Sequence, residues 1–332
     1  MKHFRASGAK PVIMIFLKGA VTIAVFAVIL SVLDVGRVFR IMAQADKTLF
    51  SLSLAIFIGR NVVAAYRQQL LLRYKNCRLG LPVLTRLYLI GAFFNLFLPS
   101  VIGGDVARGY YLYRYSGGKE ETLSTLFIER YLGILAMMAL AVLSLFIAFA
   151  AGINTISMEV MLVIFIVFTF GLTAGFLALN ERMERLFEKL ISRLSTRLAR
   201  PLSVLAHAMS YGRASATLLA GFLASVGFQF LSIVSTYIIA LSIHEDLPFI
   251  HYLILLPIVW ILMMVPVSIS GLGIREGAFL YLFSAAGMSR ENALALSLLW
   301  LAQIIILGLI GGVVFFFESI VMKDISRFSH SL

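Results

Sequence analysis

Two short stretches of this chain place a proline, glycines and opposite charges inside otherwise apolar sequence. The first reads Asn95-Leu96-Phe97-Leu98-Pro99-Ser100-Val101-Ile102-Gly103-Gly104-Asp105-Val106-Ala107-Arg108. Pro99 lacks an N–H and clashes with the preceding turn, so it ends a helix. Gly103 and Gly104 permit a sharp bend or a close approach of two backbones. Asp105 suits the cap of a restarting helix, and Arg108 follows three residues later on the same face. A helix start beside a guanidinium fork is a site for phosphate or another anion. The second stretch reads Pro266-Val267-Ser268-Ile269-Ser270-Gly271-Leu272-Gly273-Ile274-Arg275-Glu276-Gly277 and repeats the ingredients. Charge is expensive in hydrocarbon, so Arg275 and Glu276 are expected to face a cavity or each other. Neither stretch is a nucleotide loop: there is no G-x-G-x-x-G after a strand and no P-loop lysine.

Other polar residues lie within or at the ends of apolar runs: Arg60, Asn61, Glu129, Arg130, Gln229 and Gln303. Each is open to two readings, an ion pair or hydrogen bond that fixes helix packing, or part of a functional site. His244 and His251 flank Glu245-Asp246 without H-E-x-x-H spacing, so a plain loop is expected and no metal site. No Ser/His/Asp or cysteine nucleophile arrangement is visible, and no catalytic residue or cofactor is assigned. The single cysteine, Cys77, excludes an intramolecular disulfide and a cysteine-based metal cluster.

The elements that must position these residues are membrane helices. Of the 332 residues 61% are hydrophobic and 13% charged, against about 25% charged in soluble domains. Apolar runs of bilayer length recur, and lipid forces such runs to be helical because it offers the backbone no hydrogen-bond partner. The pattern predicts an all-α polytopic membrane protein forming a single domain over 1–332. It has about six full spans (12–33, 48–66, 122–150, 158–179, 216–242 and 292–318), the first read as a retained helix rather than a cleaved signal. Two further segments, from Pro82 to Tyr115 and from Pro248 to about Gly287, read as re-entrant broken-helix hairpins. With the N-terminus inside, predicted inner segments carry 20 Lys and Arg and outer segments four. The positive-inside rule then expects both termini in the cytoplasm, in the cytoplasmic (inner) membrane.

In this layout span, span, hairpin, span occurs twice, over 12–150 and 158–318. Three crossings per half turn the second copy upside down, an inverted repeat of the kind many transporters use. The alternative is that the symmetry reflects only where the boundaries are drawn. Met183, Phe187, Ile191, Leu194 and Leu198 recur at helical spacing among arginines in 181–213. That suits a basic amphipathic helix in the cytoplasmic interface, with a solvated linker as the alternative.

The aromatic-Asn-P stretch leading to Gly103-Gly104-Asp105-Val106-Ala107-Arg108, the pair Glu129-Arg130, and the run Pro266 to Gly277 together resemble the lysylphosphatidylglycerol synthase transmembrane-region family. The resemblance covers nearly the whole chain. It implies a flippase-like integral membrane domain. In the bifunctional synthase a C-terminal cytosolic domain adds lysine to phosphatidylglycerol. That domain does not follow here, so lysyltransferase activity is not expected. The resemblance also implies phospholipid, aminoacylated phosphatidylglycerol or polyprenyl-phosphate-linked lipid as candidate substrates.

The expectation is binding or translocation of a phosphate-bearing lipid in a polar cavity between the hairpins, touched by Arg108 and Arg275. Asn95, Pro99, Gly103, Gly104, Asp105, Glu129, Arg130, Ser268, Gly271, Gly273 and Glu276 complete the candidate site. Two alternatives stand beside it: an intramembrane transferase with Asp105, Glu129 or Glu276 as base, or an accessory subunit of a lipid- or glycan-synthesis enzyme. The expected partners are membrane lipids with anionic headgroups and such an enzyme, not nucleic acid.

Overall fold

The computed structural model describes residues 34–97, 103–116, 118–150, 152, 158–191, 196–264 and 271–329. The predicted first span, 12–33, lies outside them, as do Pro99 and Ser268. Among the described residues every regular element is helical, with twelve α-helices and one 3-10 turn. In chain order the helices are α1 (Val35–Ala43), α2 (Lys47–Tyr74), α3 (Leu81–Phe97), α4 (Gly103–Ser116), α5 (Lys119–Ala150) and α6 (Met158–Ala178). They continue with α7 (Glu181–Ile191), α8 (Thr196–Met209), α9 (Ser215–Ser242), α10 (Phe249–Met264), α11 (Ile274–Ala285) and α12 (Arg290–Ser329).

Among the described residues four helices are long and apolar enough to cross a membrane: α2, α5, α9 and the Arg290–Glu318 part of α12. They contain four of the six predicted spans. A fifth, 158–179, coincides with α6, whose described apolar stretch is the shorter Phe165–Gly175. On α6 Phe165, Ile166, Val167, Phe170 and Leu172 are exposed. In water such a patch would aggregate, whereas in a bilayer it meets lipid chains at no cost.

Each predicted hairpin is a pair of helices, α3 with α4 and α10 with α11. The first arm of each pair packs on the long helix that follows the other pair: α3 on α12, and α10 on α5. The α3–α12 contact is close because α12 presents glycines. A Cβ on Gly311 would run into the Leu89 carbonyl, and one on Gly308 into Leu96. Small residues let membrane helices approach where no hydrophobic drive between them exists. Beside them Phe93 and Phe315 stack with centroids 5.7 Å apart. The most extensive pairing is α2 with α9.

Two features were not legible beforehand. Residues 35–43, expected only as part of an outer connection, form α1, capped by Asp34, whose carboxylate accepts from the Arg37 N–H at 3.0 Å. The 181–213 segment, read as one interfacial helix, holds two helices and the turn Ser210–Arg213. α8 packs on α5, and the buried Tyr211 donates to the Leu71 carbonyl at 3.0 Å. On α7 the large apolar side chains Met183 and Leu186 are exposed.

Candidate functional site

The first hairpin closes through two glycines. A Cβ on Gly91 would lie 3.2 Å from the Gly104 carbonyl oxygen, and one on Gly104 would strike the Gly91 carbonyl and Asn95. The backbones therefore touch, and Asn95 Oδ1 accepts from the Gly104 N–H at 2.7 Å. Asn95 thus occupies the amino end of α4, where free N–H groups gather. α4 starts at Gly103, so Asp105 sits in its first turn rather than at its cap. Arg108, one turn on, reaches Asp105 at 3.2 Å, as the three-residue spacing requires.

Glu129 of α5 is the hub of the ionic cluster that follows. Arg108 forks onto it, Nη1 to Oε1 at 3.1 Å and Nη2 to Oε2 at 3.0 Å. Arg67 of α2 donates to Oε1 at 2.6 Å, and the Tyr88 hydroxyl of α3 donates to the same oxygen. The Arg108 guanidinium lies 4.1 Å from the Tyr88 ring centroid. Arg130 binds Asp105, with Nε 2.6 Å from Oδ2. Arg67 also donates to Ser225 Oγ of α9 at 3.0 Å. Among the described residues three guanidiniums thus face two carboxylates, leaving one positive charge in excess. Arg67, Arg108 and Glu129 are buried, whereas Asp105 and Arg130 are partly exposed. Within the cluster the Nε atoms of Arg67 and Arg108 are buried without a partner. An unmatched cation out of water is costly, so the site favours an incoming anion.

The exposed edge of the cluster opens sideways. A groove of about 620 Å³ runs along α4 and α5, with Asp105 and Arg130 in its wall, and Lys119, at the start of α5, lines it roughly 16 Å from Arg130 along the helix. Val106, Tyr110, Tyr113 and Phe127 line the rest and are exposed. An apolar channel leading to a basic, hydrogen-bonding end matches a lipid, with chains in the channel and headgroup at the end.

The second hairpin is arranged differently. Gly271 and Gly273 adopt φ of 76° and 84°, a left-handed conformation that favours glycine. Glu276 accepts from the Gly273 N–H at 2.6 Å and from Arg275 Nε at 3.0 Å. Arg275 Nη2 also donates to it, and the Arg275 guanidinium lies 5.6 Å from the Trp300 ring centroid. Both side chains are buried and the pair is neutral. Among the described residues no hydrogen bond or ion pair joins it to the first cluster.

The structure therefore brings Asn95, Gly104, Asp105, Arg108, Glu129 and Arg130 together, with Gly103 opening α4, and holds Gly271, Gly273, Arg275 and Glu276 apart from them. Arg67, Tyr88 and Ser225 were missed. The predicted span 48–66 ends one residue short of Arg67, but no Pro or Gly interrupts the chain until Gly80, and α2 continues to Tyr74. Two of the other noted polar residues, Gln303 and Asn61, serve packing. Gln303 Nε2 donates to Ser53 at 2.7 Å, and Asn61 donates to the Phe57 carbonyl at 3.1 Å. Glu245, between the two histidines, accepts from Asn292 at 2.8 Å.

The family described as lysylphosphatidylglycerol synthase TM region matches residues 15–312. No match was found among curated proteins or among solved structures.

Proposed function

Because the chain belongs to the lysylphosphatidylglycerol synthase TM region family, we propose that it takes the phosphodiester headgroup of a membrane lipid into the first hairpin and moves it across the bilayer. The family ties this membrane domain to lipid metabolism. The observation that carries the proposal is the ionic cluster with its single excess positive charge, set at the end of a lipid-facing apolar groove. A phosphodiester carries one negative charge and so neutralises the cluster.

A phosphate arriving along the groove meets Arg130 first, then Arg108. Its oxygens displace Asp105 or Glu129 from the guanidinium forks, exchanging one bidentate acceptor for another. The acyl chains stay against Tyr110, Tyr113 and Phe127 or in lipid. In this scheme the neutral Arg275–Glu276 pair locks the second hairpin rather than contacting the headgroup.

The reciprocal packing of α3 on α12 and α10 on α5 supports two inverted halves with re-entrant hairpins, in which each half holds the other's broken helix. α1 on α12 and α8 on α5 continue the correspondence. The Lys and Arg asymmetry supports cytoplasmic termini. With the buried Arg67 and Arg108 withdrawn from the inner count, 18 still stand against four.

Proteoliposomes carrying NBD-labelled phosphatidylglycerol, quenched from outside by dithionite, test the proposal. The protein is expected to expose inner-leaflet probe, and Arg108→Lys, which keeps charge but loses the fork, is expected to lose most of that movement. A well-folded Arg108→Ala, Arg130→Ala double variant that binds and moves the probe normally would overturn it.

A further inference from the structure

Arg60 stands outside the cluster. Among the described residues no carboxylate lies within salt-bridge distance of it. Its Nη1 donates to Ser232 Oγ of α9, and its Nε is buried without a partner. The guanidinium lies 3.7 Å from the Phe57 ring centroid and 4.9 Å from that of Phe228. α2 runs 28 residues from Lys47 to Tyr74, about 42 Å at 1.5 Å per residue. Arg60 sits at its middle, roughly 20 Å from either end, where an unpaired charge is hardest to hold.

Its placement along the helix is regular. Ser53, Arg60 and Arg67 follow at intervals of seven residues, two turns apart on one face of α2. Each faces a serine of α9: Ser53 with Ser235, Arg60 with Ser232, and Arg67 with Ser225. Phe228 lies between the two arginines, its ring centroid 4.9 Å from the Arg60 guanidinium and 5.8 Å from that of Arg67. The nearest rung towards Tyr74 is therefore the headgroup cluster itself, about 10 Å away along the helix.

We propose that Arg60 is a mid-bilayer station for the phosphate of the moving lipid, reached from Arg67 past Phe228. This rests on the headgroup reading of the first hairpin. A phosphodiester leaving the cluster finds a guanidinium with an unused N–H and two ring faces, while the Ser232 hydroxyl stays bonded to the Phe228 carbonyl at 2.7 Å. Among the described residues no carboxylate competes for that guanidinium. The absence of an acid distinguishes a station from a lock: an anion binds Arg60 without displacing anything and leaves it as readily. Bound phosphate supplies the missing counter-charge during the crossing, and the aromatic faces hold the cation between crossings.

The test separates binding from crossing. Arg60→Gln is expected to retain phosphatidylglycerol through gentle purification as well as the unaltered protein, read by native mass spectrometry. Its dithionite-read movement of NBD-phosphatidylglycerol should fall at least about tenfold, the effect of losing a charged hydrogen-bond partner. Ser232→Asp supplies a permanent carboxylate beside Arg60. It is expected to raise thermal stability and stop movement, because the station is then occupied. A structural strut predicts the reverse: Arg60→Gln unfolds and Ser232→Asp moves lipid normally, an outcome that overturns the proposal. So does normal movement by a folded Arg60→Gln. Vesicles loaded with radiolabelled inorganic phosphate form the second arm. If the variants impair phosphate efflux and leave lipid movement intact, the station holds a free ion and the lipid reading falls. An unaltered protein that neither binds nor moves either probe overturns both.

Discussion

Glu129→Gln removes the hub charge while keeping its shape. In the unaltered protein Glu129 neutralises Arg108 through a two-bond fork and Arg67 through a 2.6 Å bond, and it accepts from Tyr88. Glu129 and both of its charged partners, Arg67 and Arg108, are buried. Breaking a buried pair by removing one partner costs about 3–5 kcal/mol. The glutamine carbonyl still accepts one or two of these bonds, which places the loss at about 3 kcal/mol, the lower end of that range. The excess charge of the cluster meanwhile rises from one to two. Added phosphatidylglycerol should then restore what the mutation removes. Saturation to a hundredfold above Kd contributes about 2.7 kcal/mol, nearly the whole deficit. In the unaltered protein the same lipid must displace Glu129 and gains less. Thermal unfolding in detergent, with phosphatidylglycerol or zwitterionic phosphatidylcholine added, reads this directly. The variant is expected to melt well below the unaltered protein, and only phosphatidylglycerol should rescue it. Equal rescue by phosphatidylcholine, or an unchanged melting temperature without lipid, would refute the account of the cluster as an anion site.

Gly104→Ala drives a methyl group into the Gly91 carbonyl and Asn95, an overpacking worth about 1–3 kcal/mol. It should lower the melting temperature and lipid binding together, whereas Gly277→Ala, with nothing near its added Cβ, should change neither. Arg275→Lys loses the fork onto Glu276 and is expected to cost stability while per-molecule lipid movement is kept, measured by unfolding and dithionite quenching in parallel. Burial, with a contribution from Glu121, pushes the Cys77 thiol up from its ordinary range. Less thiolate is then present at neutral pH, so maleimide labelling of opened membranes should keep accelerating as pH rises past 9. In sealed right-side-out cells an impermeant maleimide should not reach Cys77 at all, and prompt labelling there would invert the proposed orientation.

The four long apolar helices and the two broken pairs were legible in the sequence, because each depends on local chemistry, whereas α1, the division of 181–213 and the extension of α2 to Tyr74 were not. A long apolar run in lipid has no alternative to a helix, and the glycines mark where the pairs turn or where their arms touch. The Asp105–Arg108 pair was legible for the same reason, since three residues along a helix return to one face. The members of the site were only partly so. Asp105, Arg108, Glu129 and Arg130 stood out as charges near a break or within an apolar run. Arg67 did not, because it lies at the end of a span beside loop arginines, and charge count alone assigns it to the surface.

Its role depends on a carboxylate 62 positions away and on a serine 158 positions away, both brought to it by packing of α5 and α9 against α2. Tyr88 was an ordinary aromatic until α3 turned its hydroxyl towards Glu129. The separation of Arg275 from Arg108 was equally beyond the sequence: both pairs carry the same residue types, and one is neutral and closed while the other gathers a third arginine. Local rules determine which residues can share a helix face. Which faces meet is decided by the rotation and crossing of whole helices, and that depends on glycines such as Gly311 and Gly104 letting particular backbones touch.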